Sequence, residues 1–116
     1  MTTAAYPTSE LSNPKIGVII VEPLTPAHKK HAFEALKKRG VKVLPAELDS
    51  PSLDLVTEFA LACVKSWKSA EGADLTPIAK REFLETYDSV RDGILAAGNK
   101  LNEVFNAGSE LEEKNS

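Results

Sequence analysis

The chain has 116 residues, of which 42% are hydrophobic and 27% charged, and its formal net charge is −3. This composition is typical of one globular domain with a modest core. No apolar run approaches the roughly 20 residues of a membrane span, and residues 1–13 lack the basic start and apolar stretch of a signal peptide, so we expect a cytoplasmic protein without a membrane partner. Cys63 is the only cysteine, which excludes an intramolecular disulfide and a cysteine-built zinc site.

Residues 1–13 are rich in Thr, Ser, Pro and Asn and show no hydrophobic period, which predicts a flexible N-terminal arm. The single folded domain is expected to span residues 14–108. Its first element is Ile16–Val21, a nearly unbroken β-branched run that is typical of a strand covered on both faces, as in a parallel sheet.

A helix is predicted next, with Thr25 as its N-cap and Pro26 at its first position. It runs to about Arg39 and ends at Gly40, which suits the left-handed conformation of a helix terminus. A second strand, Val41–Leu48, completes a βαβ unit with a right-handed crossover. Two parallel strands do not form a stable sheet unaided, so either Leu11–Lys15 or a second subunit should extend it.

The C-terminal half is predicted to be helical. Ser50-Pro51 begins helix two, whose apolar positions recur at helical spacing from Leu53 to Trp67, and Thr76-Pro77 begins helix three. A heptad seam follows in helix three, which either continues to Phe105 or turns at Gly98. The seam residues proposed as an interface are Phe83, Tyr87, Val90, Ile94, Leu101 and Val104.

The predicted fold class is therefore α/β, with a small βαβ core of parallel strands followed by two or three helices. An acidic, disordered tail is expected at residues 109–116. The heptad seam has two interpretations, an interface that pairs two copies in a homodimer or a stripe that packs on the chain's own sheet.

The first turn of the helix after Thr25 is the strongest candidate site. Lys29 and Lys30 lie between His28 and His31 and repel a cation, so no metal site is predicted. The free backbone N–H groups of a helix N-terminus favour an anion, with Thr25, His28 and Lys29 beside it. The alternative is an ordinary capped helix on a basic surface. If the protein is an enzyme, His28 is its expected acid or base.

Glu47 and Asp49 end the second predicted strand. Ligands usually bind at this edge of a parallel sheet, so these two carboxylates are candidates for binding ligand hydroxyls. Glu22, in the turn that follows the first strand, is a further candidate ligand-binding residue. Asp49 has a simpler alternative, which is a hydrogen bond to the turn that follows it.

The segment Lys29–Lys42 holds six of the 14 basic residues and predicts a local positive face. A nucleic-acid site requires interleaved aromatic side chains or a basic total charge, and Phe33 is expected in the core, so nucleic acid is disfavoured as a partner. Cys63 falls on the apolar face of helix two beside Phe59 and is expected to behave as a small hydrophobic residue.

Residues 18–56 resemble the segment around the second and third strands of NmrA-like relatives of the short-chain dehydrogenase/reductase superfamily. The shared phrases are a strand ending in Val21-Glu22-Pro23, a basic helix ending in Leu36–Val41, and a strand followed by the acidic turn Leu48–Pro51. The resemblance implies a Rossmann-like fold that binds NAD(P), and Glu22, where the family usually has Arg, favours NAD. Residues 1–15 carry no glycine-rich phosphate loop, so the resemblance bears more on the fold than on the cofactor.

The turn Glu22–His28 is similar to the strand-to-helix turn of small nucleotidyltransferases, in which a Thr-x-Gly-His motif holds nucleotide phosphates. Thr25 and His28 match that motif, and Ala27 stands in place of its glycine. This second resemblance implies a nucleotide at the same helix terminus.

Two histidines, one cysteine and dispersed carboxylates do not complete a catalytic constellation. We therefore predict a small non-catalytic binding or regulatory module, without a cofactor, that self-associates or binds a partner protein through its C-terminal helices. The alternatives are a nucleotide- or dinucleotide-binding protein and a small enzyme that acts on an anionic substrate at Thr25–His28.

Overall fold

The computed structural model describes residues 6–43 and 52–115, with side chains as far as Phe105. In chain order the described elements are β1 (Ser9–Asn13), β2 (Gly17–Val21), α1 (Pro26–Lys38), α2 (Leu53–Cys63), β3 (Val64–Lys68), α3 (Pro77–Thr86) and α4 (Asp88–Asn115). The three strands form one sheet in the order β1-β2-β3. The predicted mixed α/β class is confirmed. Within these residues no helix is both long and apolar enough to cross a bilayer.

The parallel βαβ core predicted from the sequence is wrong. β2 pairs antiparallel with β1 on one edge and antiparallel with β3 on the other, so no edge of β2 is free for a parallel neighbour. Residues 41–43, which begin the predicted second strand, are irregular, and residues 44–48 lie outside the described residues. The apolar run of β2 reflects a central strand between two antiparallel neighbours, which has the same composition as a parallel one.

β3 replaces the last turn of the predicted helix two. α2 ends at Cys63, and Val64–Lys68 turns along the free edge of β2. Trp67 lies four residues after Cys63, a spacing that also fits a helix. In β3, however, Trp67 is buried and both of its neighbours in the chain are less buried, which is the alternation expected of a strand. Pairing with β2 supplies hydrogen bonds that the sequence pattern alone does not reveal.

β1 occupies residues that the sequence assigned to a flexible arm. Ser9–Asn13 pairs with β2 along its whole length. The alternative prediction, that Leu11–Lys15 extends the sheet, is closer to this observed strand. β1 and β2 form a hairpin, and β2 begins at Gly17, whose φ is +91°. A Cβ there would lie 1.9 Å from the carbonyl oxygen of Lys68, so this start of β2 requires glycine.

The core lies between one face of the sheet and the helices α2, α3 and α4. Ile19 pairs with Leu11 on one side and Trp67 on the other, and Ile19 and Trp67 are buried. The indole Nε1 of Trp67 donates to the carbonyl oxygen of Ile16 at 2.8 Å, which satisfies the one polar atom of that side chain. The other buried apolar residues of this cluster are Val21, Leu24, Ala60, Cys63, Leu84 and Ile94.

Polar caps begin the first three helices. The side chains of Thr25, Ser52 and Thr76 each accept a hydrogen bond from the backbone N–H three residues on. Thr25 and Thr76 confirm the predicted caps, while the cap of α2 is Ser52 rather than Ser50, which lies outside the described residues. The predicted end of α1 is also confirmed, because Gly40 adopts φ +76° after the C-cap.

The predicted helix three is two helices that part at Tyr87, not at Gly98. Tyr87 is extended, with φ −114° and ψ 95°, and caps α3, and α4 begins at Asp88, whose carboxylate suits a helix N-terminus. α4 continues to Asn115, whereas the sequence predicted a disordered tail from residue 109. Gly98 lies inside α4, where the backbone N–H of Leu24 donates to its carbonyl oxygen at 2.9 Å.

A buried carboxylate joins three helices on the other side of α2. Glu58 of α2 is 4% exposed, and its Oε1 lies 3.0 Å from Nη1 of Arg39 at the end of α1 and in contact with Nη1 of Arg81 in α3. A buried carboxylate is stable only when it is paired, so Glu58 fixes α1 and α3 relative to α2.

Two glycines of α4 give a matched test of this packing. A Cβ at Gly98 would lie 2.9 Å from Cys63 Sγ, whereas a Cβ at Gly93 would meet nothing within 4 Å. Gly93→Ala should stabilise the protein by about 0.5–1 kcal/mol, since alanine is the better helix former. Gly98→Ala should destabilise it by about 1–3 kcal/mol through overpacking. Urea unfolding followed by the fluorescence of Trp67, the only tryptophan, measures both.

The double variant Gly98→Ala/Cys63→Ala serves as the control. Removal of Cys63 Sγ should restore part of the stability that Gly98→Ala loses, beyond the sum of the two single effects. Equal stabilisation by both glycine substitutions would contradict the close approach of α4 to α2.

Candidate functional site

The turn between β2 and α1 brings three of the predicted site residues into one hydrogen-bonded chain. Thr25 Oγ1 lies 2.5 Å from His28 Nδ1, and the backbone N–H of His28 donates to the same oxygen at 3.3 Å. His28 Nε2 lies 3.5 Å from Glu22 Oε1. Thr25 Oγ1 therefore caps α1 and also lies within hydrogen-bond distance of the imidazole, whose other ring nitrogen faces Glu22.

This chain of Glu22, His28 and Thr25 has the order of a carboxylate, a base and a hydroxyl, but the base and the hydroxyl are buried, and only the carboxylate is partly exposed. Thr25 is 4% exposed and His28 8% exposed. The ring of Tyr6 packs edge-on against the imidazole at 5.1 Å between centroids and contacts Phe105 at 5.3 Å. The hydroxyl caps α1 and both ring nitrogens are engaged, so the arrangement holds the turn rather than presenting a nucleophile.

The same contacts weigh against an anion at this helix terminus. Thr25 already occupies the backbone donor of His28, and the carboxylate of Glu22 lies beside the imidazole. A phosphate would meet that negative charge at close range. Lys29 is exposed on the outer surface of α1 rather than in this chain, and Glu47 and Asp49 lie outside the described residues.

Cys63 lies next to this turn without joining it. The backbone N–H of Glu22 donates to the carbonyl oxygen of Cys63 at 2.7 Å, and the thiol is buried against Gly98. Burial, assisted by the negative charge of Glu22, raises the pKa of Cys63 to about 12. The thiol is therefore neutral at physiological pH and packs as the small hydrophobic residue expected from the sequence.

His31 does not share a site with His28. Its side chain is 78% exposed and lies 3.9 Å from Glu34, whereas His28 is buried. Across the part of the chain that the structure describes, no three histidine, cysteine or carboxylate side chains gather as metal ligands would.

The six seam residues do not form one surface. Ile94 is fully buried in the core, and Phe83, Val90 and Leu101 pack against it in part. Tyr87 and Val104 remain 50% and 59% exposed. The break at Tyr87 separates α3 from α4, so the stripe serves mainly the chain's own core and leaves isolated apolar side chains at the surface.

Among the surface depressions on the outer sides of the helices, one of about 530 Å³ is lined by Arg39, Pro77, Ile78, Arg81, Glu82 and Glu85. The α1 groove, of about 470 Å³, is lined by Pro26, Lys29, Lys30, Phe33, Glu34 and Lys37. The α3 surface consists of a depression of about 230 Å³, lined by Ala79, Glu82, Phe83, Thr86 and Tyr87, together with the neighbouring Ile78.

Sequence reasoning missed several residues of these surfaces. Ile78 is 72% exposed and falls outside the heptad register, which is the signal that it does not belong to the core. In α1, Lys30, Phe33 and Lys37 follow spacings of three and four residues and so share one face, although the sequence assigned Phe33 to the core. Comparison of the chain with family models, curated proteins and solved structures gives no significant match.

The two threonine caps provide a test of the Glu22–His28–Thr25 chain. Thr25→Ala removes both the helix cap and the hydrogen-bond partner of buried His28 Nδ1, so it should lower the free energy of unfolding by about 2–3 kcal/mol. Thr76→Ala removes only an exposed cap, which contacts the N–H of Ala79 at 3.2 Å, and should cost about 1 kcal/mol. Similar losses in urea unfolding would show that the contact between Thr25 and His28 adds no stability.

The thiol of Cys63 provides a pH test. Its pKa is about 12 in the folded protein against an ordinary value of 9.0, so the unfolded state loses the proton first as the pH rises. The stability that the protonated Cys63 thiol contributes to the folded protein is complete below pH 9 and should diminish as the pH rises from 9 towards 12. Between pH 8 and 10.5, wild-type stability should fall more than that of Cys63→Ala, which lacks the thiol. Parallel pH profiles of the two proteins would refute the raised pKa.

Proposed function

We propose that this protein is a non-catalytic binding module that self-associates through the α3 surface. The observation that carries the proposal is the exposure of large apolar side chains on the C-terminal helices. Ile78 is 72% exposed and Tyr87 50% exposed, although the core of the same chain buries Leu84 and Ile94 completely. Such residues are more costly to hydrate than the polar residues usual on a helix exterior.

The geometry of the α3 surface suits a second helix. Ala79 and Phe83 lie four residues apart on α3 and Tyr87 follows as its C-cap, so the three form an apolar ridge in which the rings of Phe83 and Tyr87 lie 5.7 Å apart. Phe83 also contacts Trp67 at 5.6 Å, which ties the ridge to the core and keeps it rigid. A rigid aromatic ridge loses little conformational freedom on binding.

A second copy is the proposed occupant because one surface that binds itself makes a closed dimer. Two-fold dimers are the commonest oligomers of soluble proteins, and the ridge of α3 can pack beside the same ridge related by a two-fold axis. The ten residues of α3 extend over about 15 Å, which is long enough for two or three ridge residues of each copy to interdigitate.

The buried state of the chemically reactive groups supports a non-catalytic role. His28 and Thr25 are engaged in the β2–α1 turn, and the Cys63 thiol is neutral and enclosed. None of these groups presents an accessible base or nucleophile, whereas Ile78 and Tyr87 of the α3 surface are exposed. Binding therefore has stronger support than catalysis.

Light scattering after size-exclusion chromatography tests the proposed dimer. The wild type should change from monomer to dimer mass as its concentration rises into the micromolar range, and Tyr87→Glu and Ile78→Glu should each raise the dimer dissociation constant at least tenfold. Both side chains are largely exposed, so these variants are expected to fold. Val18→Glu is the matched control, because Val18 is 37% exposed on a strand and outside the α3 surface. A wild type that stays monomeric at several hundred micromolar would refute self-association.

A further inference from the structure

The α1 groove is a second unpartnered surface with a different chemistry. Its floor is Phe33, which is half-buried and whose ring meets that of Phe59 in α2 edge-on, with centroids 5.5 Å apart and the ring planes at 89°. This contact holds Phe33 in place. Pro26, the first residue of α1, also lines the groove and fixes the start of the helix.

Three lysines line the groove, and none has a carboxylate within ion-pair distance among the described residues. Lys29, Lys30 and Lys37 are exposed, and the ion pairs of the described chain are made by arginines and histidines. The methylene stems of these lysines add apolar area around Phe33 while their ammonium groups stay in water. Only Glu34 opposes them, and its carboxylate lies 3.9 Å from His31. The groove is therefore apolar at its floor and cationic at its rim.

The size and charge of the groove select among anionic partners. A membrane or a nucleic acid presents many negative charges over a wide surface, and this chain, with a net charge of −3, would meet them with repulsion outside the groove. Phe33 is half-buried against Phe59 and cannot stack a base on an open face. A narrow partner with an apolar row and a few carboxylates avoids both difficulties.

We propose that the α1 groove binds an acidic amphipathic helix of a partner protein. One apolar side chain of that helix packs on Phe33, and two carboxylates lie against Lys30 and Lys37. These lysines are seven residues apart, or about 10.5 Å along α1, so matching carboxylates on a partner helix lie two turns apart. The proposal does not rest on self-association, since the groove and the α3 surface share no residue.

The probe is a fluorescein-labelled 15-residue synthetic helix with a row of leucines flanked by glutamates seven residues apart. Its fluorescence anisotropy should show saturable binding to the full chain at micromolar concentrations, weakened at least fivefold by 0.5 M salt. Lys30→Glu/Lys37→Glu should weaken binding at least tenfold. The matched control is Lys65→Glu/Lys100→Glu, which reverses two exposed lysines outside the groove and should bind as the wild type does.

Two altered peptides separate the two parts of the recognition. Replacement of the leucines by alanine should abolish the contact with Phe33, and replacement of the glutamates by lysine should abolish the charge contacts, so each should weaken binding at least tenfold. The proposal is overturned by absence of binding at millimolar peptide, by equal binding to Lys30→Glu/Lys37→Glu, or by tighter binding to anionic lipid vesicles or DNA. Tyr87→Glu should bind the peptide normally, which separates this result from any failure of the dimer.

Discussion

The double pairing of β2 is the constraint on which the remaining structure depends. Ile19 lies at the centre of this strand with Leu11 and Trp67 as its cross-strand neighbours, and both edges of the strand are satisfied by hydrogen bonds. The chain must therefore return to the sheet after α2, which forces the abrupt change from helix to strand at Cys63. That return buries Trp67 and places α3 and α4 over the same face of the sheet.

The end of β2 is held from two further directions. The backbone N–H groups of Glu22 and Leu24 donate to the carbonyl oxygens of Cys63 and Gly98, so the strand terminus is bonded to both α2 and α4. Close approach of α4 requires the missing side chain at Gly98. The turn that carries Thr25 is rigid for this reason, and its hydroxyl and imidazole are available as structural groups more than as chemical ones.

Local signals were predictable from the sequence, and long-range pairing was not. The caps at Thr25 and Thr76 and the end of α1 at Gly40 depend on neighbouring residues and were identified. The direction in which β2 pairs depends on β3, and the paired residues Val21 and Val64 are 43 residues apart in the chain. Within β3, the spacing of Trp67 from the preceding apolar residues fits a helix equally well. Among the predicted site residues, the structure brings Glu22, Thr25 and His28 together, but Tyr6 and Phe105, which pack beside His28, are connected to them by no local pattern.

Which side chains are buried and which are exposed determines how much binding free energy a ligand can obtain from this fold. Thr25 and His28 are buried and hydrogen-bonded to each other, and the thiol of Cys63 is buried, so a ligand would have to displace existing contacts to reach these side chains. The apolar side chains Ile78 and Tyr87 are exposed, and the lysines of the α1 groove form no ion pair within the described part of the chain. Removing apolar area from water yields about 25 cal/mol per Å², and pairing an exposed charge adds a smaller contribution. The proposed associations at these helix exteriors therefore depend on apolar and charged contacts that the buried turn cannot supply.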